Sequence, residues 1–247
     1  MMTNWTSIAI AIISFITLRI ILVINNHRRG IKPKLNLKDN KCSISFFLGS
    51  GGHSTEMLKI ISSLPFTKFS PRLYLVSSGD TLSAQKCLDL ENERKADAMG
   101  DWGDNGYFEL NFIKRTRKVN QSLLTTPFTF LITLLQGINL SILPPPDISS
   151  PSNANGRQNS IHDLPPPQYG QLLVMNGPAT SVPLVLSVWL AKFIGLPHPR
   201  MIYIESWTRV TSLSLTGKIV KPLVDTFITQ WDENNDNVED IEKLWMI

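Results

Sequence analysis

The sequence predicts an α/β protein, one parallel sheet covered by helices, behind a single membrane-spanning helix. Three observations carry this. Residues 5–24 form an apolar run whose sole charge is Arg19. Beyond it, strand-like runs at Cys42–Leu48, Arg72–Val76, Phe108–Ile113, Gln171–Met175 and Met201–Glu205 alternate with helix-compatible stretches, the pattern of a parallel sheet. Each run also ends in a polar or glycine-rich loop, and ligands of open parallel sheets bind beyond the carboxyl ends of the strands.

The N-terminal run has the length of a bilayer core, about 30 Å as a helix. Arg19 lies near one end, where its stem reaches the headgroups and its cost falls below the roughly 2.5–3.5 kcal/mol of a central charge. Residues 1–4 lack the basic residues of a signal peptide and the run exceeds a usual signal core, so an uncleaved anchor with a lumenal N-terminus is expected. The linker 25–41 holds Arg28, Arg29, Lys32, Lys34, Lys38 and Lys41, which places the body of the protein in the cytosol by the positive-inside rule. The same cluster suits contact with anionic membrane lipid, or is a solvated topology signal. It also supplies much of the formal charge of +4, which therefore does not point to nucleic acid. Cys42 and Cys87 have no redox or metal spacing and read as reduced thiols. His27, His53, His162 and His198 are scattered, so no metal is expected.

Residues 42–231 read as one domain. After its first strand comes Gly49-Ser50-Gly51-Gly52-His53, then Met57, Leu58, Ile61 and Leu64 at helical spacing, with Ser54 or Thr55 as N-cap and Glu56 favourable in the first turn. Glycine lets main-chain N–H groups approach an anion at a helix N-terminus, which predicts a phosphate or diphosphate ligand; the alternative is an ordinary βα turn. The second strand leads to Asp80, which reads as the cap of a helix beginning at Thr81. The third leads to Lys114-Arg115-Thr116-Arg117-Lys118, suited to a diphosphate or headgroup, or else a solvated charge run. Helices follow at Pro127–Ile142 and Thr180–Ile194, the second limited by Pro183, Gly195 and Pro197. Both are apolar nearly all round and too short to span a membrane, so burial is expected ahead of shallow lipid contact.

Between those helices, 143–170 is proline-flanked and rich in Ser, Asn and Gly, and is expected to be a disordered surface insertion. The fourth strand ends in Asn176-Gly177-Pro178. The fifth ends in Glu205, which either pairs with Arg209 to hold its loop or faces the ligand. Residues 232–247 form a charged, acidic tail. His53, beside the glycine loop, either accepts a proton from a sugar hydroxyl or hydrogen-bonds the loop.

Together, Gly49-Ser50-Gly51-Gly52-His53-Ser54-Thr55-Glu56-Met57-Leu58, Arg117 with Gln121-Ser122, Asn176-Gly177-Pro178, Glu205-Ser206 through Arg209 to Ser214, Gly217 and Lys218, and Gln230-Trp231 resemble one family. It is the membrane-anchor (Alg14-type) subunit of the UDP-N-acetylglucosamine transferase of dolichol-linked oligosaccharide synthesis. The resemblance implies a Rossmann-like domain equivalent to the N-terminal, acceptor-binding half of a GT-B glycosyltransferase, at the cytosolic face of the endoplasmic reticulum. It implies a separate catalytic, UDP-GlcNAc-binding (Alg13-type) partner, GlcNAc-diphosphodolichol as acceptor, no cofactor, and an isolated chain without activity. It places the acceptor diphosphate on Gly49, Ser50, Gly51, Gly52, Arg115, Arg117, Asn176, Gly177 and Arg209, rests an apolar helix on the dolichol tail, and names His53 as base with Glu205 as the other candidate. The tail Asp232–Ile247 departs from the family's partner-docking segment.

Two other functions fit parts of the sequence. An NAD-dependent membrane oxidoreductase would use the glycine loop, but the third fingerprint glycine and a suitably placed acidic residue at the second strand end are missing. A pure membrane scaffold would need no ligand at the loop.

Overall fold

The computed structural model describes residues 2–31, 41–97, 107–117, 124–142 and 169–231. Most of the linker, Lys118, the insertion up to residue 168 and the acidic tail lie outside the described residues. The sheet has six parallel strands: β1 (Cys42–Leu48), β2 (Phe69–Ser77), β3 (Phe108–Ile113), β4 (Leu172–Asn176), β5 (Arg200–Ile204) and β6 (Thr226–Ile228). Their order is β3-β2-β1-β4-β5-β6, so the chain reverses its direction of growth between β1 and β4. This is the doubly wound, Rossmann-like order, and its switch point is where a ligand crevice opens. The helices are α1 (Met2–Arg28), α2 (Gly52–Ser62), α3 (Thr81–Asp97), α4 (Thr126–Ile142), α5 (Ser181–Ile194) and α6 (Leu215–Val220).

Continuous apolar runs arise because both faces of the sheet are covered. On one face Ile44, Phe46 and Leu48 of β1 meet Met57, Ile60 and Ile61 of α2. On the other, Phe47, Leu75, Leu173, Met175 and Tyr203 meet Leu184, Val185 and Val188 of α5 and Leu140 of α4. Asp80 acts as the cap read from sequence, accepting from Ser83 N (3.1 Å) and Ser83 Oγ (2.7 Å) at the start of α3. Gly195 ends α5 at φ +83°, with Leu196 N donating to Ala191 O (2.9 Å), the left-handed stop that glycine permits. Helix α5 is buried as expected. Helix α4 is buried on one face only: Phe128, Leu131 and Leu135, at helical spacing, are 67%, 50% and 53% exposed.

Four expectations are corrected. The segment 143–170 ends in the core, because Tyr169 is buried, its carbonyl accepts from Ser45 Oγ (2.5 Å), and its hydroxyl lies 3.1 Å from Ser187 Oγ. Neither Ser54 nor Thr55 caps α2, which starts at Gly52 with Gly51 as N-cap and no side-chain cap. The fifth strand run was followed by two elements too short for periodicity to reveal, α6 and β6. Lastly, Arg19 bonds protein: Nε donates to Phe193 O (2.7 Å) and Nη2 to Lys192 O (3.1 Å), satisfying carbonyls at the C-terminus of α5.

Helix α1 is long and apolar enough to cross a membrane. Its C-terminal end is docked on the domain, with His27 edge-on to Trp189 (4.9 Å) and 3.6 Å from Asp225, which also pairs with Lys192 at 3.0 Å.

Candidate functional site at the switch point

The loops after β1 and β4 are fitted face to face. Gly49 is buried, and a Cβ there would stand 2.6 Å from Pro178 Cδ. Gly177 has φ +75°, and a Cβ there would stand 2.3 Å from His53 Cγ. The glycines at these two positions are therefore what lets the loops touch, with the imidazole laid against the Gly177 backbone. Gly51 and Gly52 differ: both are exposed, and an added Cβ would meet nothing within 4 Å. Together with the missing side-chain cap on α2, they leave its N-terminal N–H groups facing open space, the arrangement that favours an anion.

One carboxylate links three loops. Glu56 is 9% exposed; its Oε1 accepts from Ser206 Oγ (2.8 Å) after β5, and its Oε2 from Asn176 Nδ2 (3.3 Å) after β4. The same Asn176 Nδ2 donates to His53 O (2.9 Å). Glu56 Oε2 also lies 3.9 Å from His53 Nδ1. Buried Asn176 Oδ1, Ser54 Oγ and His53 Nδ1 have no hydrogen-bond partner in the protein.

Glu205 is turned into the protein. It is 1% exposed; Oε1 accepts from Ser206 N (3.1 Å), and Oε2 accepts from Ser214 N and Ser214 Oγ (3.0 Å each). Ser214 Oγ in turn accepts from Gly217 N (2.8 Å) as the cap of α6. A Cβ on Gly217 would stand 2.1 Å from Glu205 Oε2, so that glycine is set by the carboxylate. Tyr203 of β5 donates its hydroxyl to Gly177 O (3.0 Å), and burial, then the Glu205 charge, push its phenol well up.

The loop after β3 joins the same rim, since Thr116 N donates to Thr180 Oγ1 (3.2 Å) at the N-cap of α5 and Thr129 of α4 donates to Thr116 O. This brings in Arg115, whose Nε is buried without a partner. Arg117 and Arg209 are exposed on their loops, and Ser50 is half-buried. Thus Gly49, His53, Asn176 and Gly177 form one contact cluster, the loop carrying Arg115 is tied to the N-cap of α5 beside it, and Glu205 holds the loop after β5 from inside.

Sequence reading placed Glu56 in the first turn of a helix and Ser206 in a motif, but gave neither of them, nor Thr180, a part in the site. Glu56 falls three residues after His53, a spacing that places both on one side of a helix, and this was the available signal. Among the described residues no group of three His, Cys, Asp or Glu side chains could hold a metal ion.

The family model described as "Oligosaccharide biosynthesis protein Alg14 like" matches residues 44–246, a span that runs through the acidic tail. Similar curated proteins carry the name UDP-N-acetylglucosamine transferase subunit ALG14. The one from Cryptococcus neoformans is 36% identical over 83% of this chain and 81% of its own length. That from Schizosaccharomyces pombe is 33% identical over 94% of this chain and 93% of its own, and that from Homo sapiens 33% over 90% and 87%. No solved structure matches. With a doubly wound domain behind an apolar N-terminal helix, and with relatives matched along most of both chains, this protein belongs to the Alg14 family of UDP-N-acetylglucosamine transferase subunits.

Proposed function

We propose that this chain is the membrane-anchoring, acceptor-binding subunit of a heteromeric enzyme that adds the second GlcNAc to GlcNAc-diphosphodolichol at the cytosolic face of the endoplasmic reticulum. A separate donor-binding subunit brings UDP-GlcNAc, and the active site is completed between the two. The observation that carries this is the switch-point crevice: an uncapped α2 N-terminus behind open Gly51 and Gly52, with His53 beside it. The acceptor diphosphate sits on those N–H groups, with Arg115 at the rim and Arg117 and Arg209 in reach from their loops. The exposed stripe Phe128, Leu131 and Leu135 rests against lipid.

In the reaction, the acceptor hydroxyl attacks the anomeric carbon of the α-linked donor, and UDP departs with the C–O electron pair, giving a β-linked product. No covalent enzyme intermediate is needed. His53 is the proton acceptor, and Glu205 holds the α6 loop instead, since its oxygens are committed to Ser206 and Ser214. The test is co-expression with the donor-binding subunit and an assay of UDP-GlcNAc transfer to a lipid-diphosphate GlcNAc. Activity is expected only with both chains present, and lost in His53→Ala while the pair still co-purifies. Turnover by either chain alone refutes the heteromeric reading, and an active His53→Ala refutes the base.

A further inference from the structure

The imidazole of His53 is bound on one side only. The side chain is 35% exposed, and its Nδ1 is buried without a hydrogen-bond partner. A buried N–H left without an acceptor costs about 1–3 kcal/mol. Facing that nitrogen, 3.9 Å away, is Glu56 Oε2. Glu56 cannot swing out to solvent without abandoning Ser206 Oγ on one oxygen and Asn176 Nδ2 on the other. The ring is equally confined, by the Gly177 backbone against its flat side. An approach of about 1 Å turns the 3.9 Å separation into a charge-assisted hydrogen bond.

We infer that Glu56 is the positioning residue of the proton acceptor: its carboxylate takes the Nδ1 hydrogen of His53 and so leaves the Nε2 lone pair aimed at the acceptor hydroxyl. This rests on the reading of His53 as base. The order of events balances. The hydroxyl O–H breaks and its proton moves to Nε2; the oxygen pair forms the new bond to the anomeric carbon; the old C–O pair leaves with UDP. The imidazolium so formed is stabilised by Glu56, which stays ionised. The carboxylate also decides the tautomer, because a neutral imidazole with hydrogen on Nε2 has nothing with which to accept there.

Among the described residues the remaining surroundings give no competing carboxylate for this role. The Asn176–Thr180 turn against the ring carries no ionisable side chain. The loop after β5 contributes Ser206 to Glu56, while its own carboxylate, Glu205, is committed to Ser206 N and Ser214. Arg209 on that loop and Lys59, farther along α2, are exposed. Ser206 and Asn176 thus serve as struts for Glu56, which explains why the loops after β4 and β5 are both polar at this depth.

Glu56→Gln in the co-expressed complex tests the role. The side-chain amide keeps the shape and can still accept from Ser206, but it presents N–H toward Nδ1, which selects the wrong tautomer, and toward Asn176 Nδ2, which keeps only His53 O as acceptor. The expected result is a fall in kcat of about 10²-fold or more, with little change in KM for the acceptor. The acid limb of the pH profile should move to lower pH, because the charge that stabilises the imidazolium is gone. A strut with no part in proton transfer would instead raise KM or loosen the complex and leave the limb in place, and that result overturns the inference. Selective 15N-histidine labelling of the full chain gives a second readout that does not depend on turnover. His53, assigned with His53→Gln, should carry its hydrogen on Nδ1, and a wild-type ring protonated on Nε2 also overturns the inference. The two layers separate cleanly: an active His53→Ala removes the base reading itself, whereas an inactive His53→Ala with a wild-type profile for Glu56→Gln removes only Glu56.

Discussion

Replacing Gly177 by alanine tests whether the loops after β1 and β4 form one site. The added methyl would lie 2.3 Å from His53 Cγ and 2.4 Å from Nδ1, distances no real contact tolerates, at a residue with φ +75°. Left-handed backbone costs a non-glycine residue about 1–2 kcal/mol. Forcing a methyl into a filled space costs about 1–3 kcal/mol more. If the ring holds its place, the domain therefore loses about 2–5 kcal/mol, which for its size lowers Tm by roughly 5–15 °C. If instead the ring swings away, stability is largely kept but the base leaves the crevice, and turnover falls by about 10²–10⁴-fold. Thermal unfolding of the complex and the transfer assay, run on the same preparation, distinguish the two outcomes. A variant within about 2 °C of wild type and fully active would refute the packing argument, since the methyl has to displace something.

The other predictions probe separate parts of the molecule. Gly52→Val sets its Cβ where no protein atom lies within 4 Å, so Tm should stay near wild type, while KM for the lipid-diphosphate acceptor should rise at least about tenfold as the side chain covers the anion site; unchanged KM removes the cradle. Glu91→Ala strands Arg72, whose Nε it holds at 2.7 Å with both side chains at 1% exposure or less, and should cost about 3–5 kcal/mol in urea unfolding. The apolar pair Arg72→Met with Glu91→Leu should recover only part of that loss, because the buried Tyr74 hydroxyl, which donates to Glu91, then has no acceptor. Glu109 has its carboxyl raised to about 7 by burial, so the folded state holds its proton more tightly than the unfolded one. Its stability contribution is complete below about 4.5 and is lost as pH rises towards 7. Glu109→Gln should then flatten the decline in stability between those values, by about 1 kcal/mol once solvent screening of this half-exposed group is counted. An identical slope for the variant rejects the assignment.

The central strands were legible because burial on both faces leaves a sequence signal, as in Phe46-Phe47-Leu48 and Leu172 to Met175. The glycine and Asn-Gly-Pro loops were legible as turns, but their mutual contact was not, because nothing in the sequence places Gly49 against Pro178 across more than a hundred residues. Thr226–Ile228 joins the sheet through pairing with β5, in a segment too short to show alternation. Arg19 failed for a related reason: its lipid-facing reading is right for an isolated helix, and its partners are carbonyls 173 and 174 residues away. Ser54 and Thr55 looked like caps because their types cap helices, yet the left-handed Gly51 already starts α2 and buries Ser54 below it. Glu205 was legible as a functional candidate and turned out to be the post on which the α6 loop hangs.

These cases separate the glycines of the site into two kinds, and the division bears on function. At Gly49, Gly177 and Gly217 a side chain would strike Pro178, His53 or Glu205, so the protein's own packing accounts for glycine there. At Gly51 and Gly52 no protein atom lies within 4 Å. For Gly51 the φ of +57° is a sufficient reason, but Gly52 is the first residue of α2, where alanine would favour the helix by about 0.5–1 kcal/mol. A position that forgoes helix stability with no internal constraint is best explained by something outside the chain that must come close to the backbone. The uncapped N–H groups beside it define what that partner carries, which is negative charge. Gly49 and Gly177 thus build the crevice from two loops, and in the function proposed above the open Gly52 keeps its floor bare for a diphosphate.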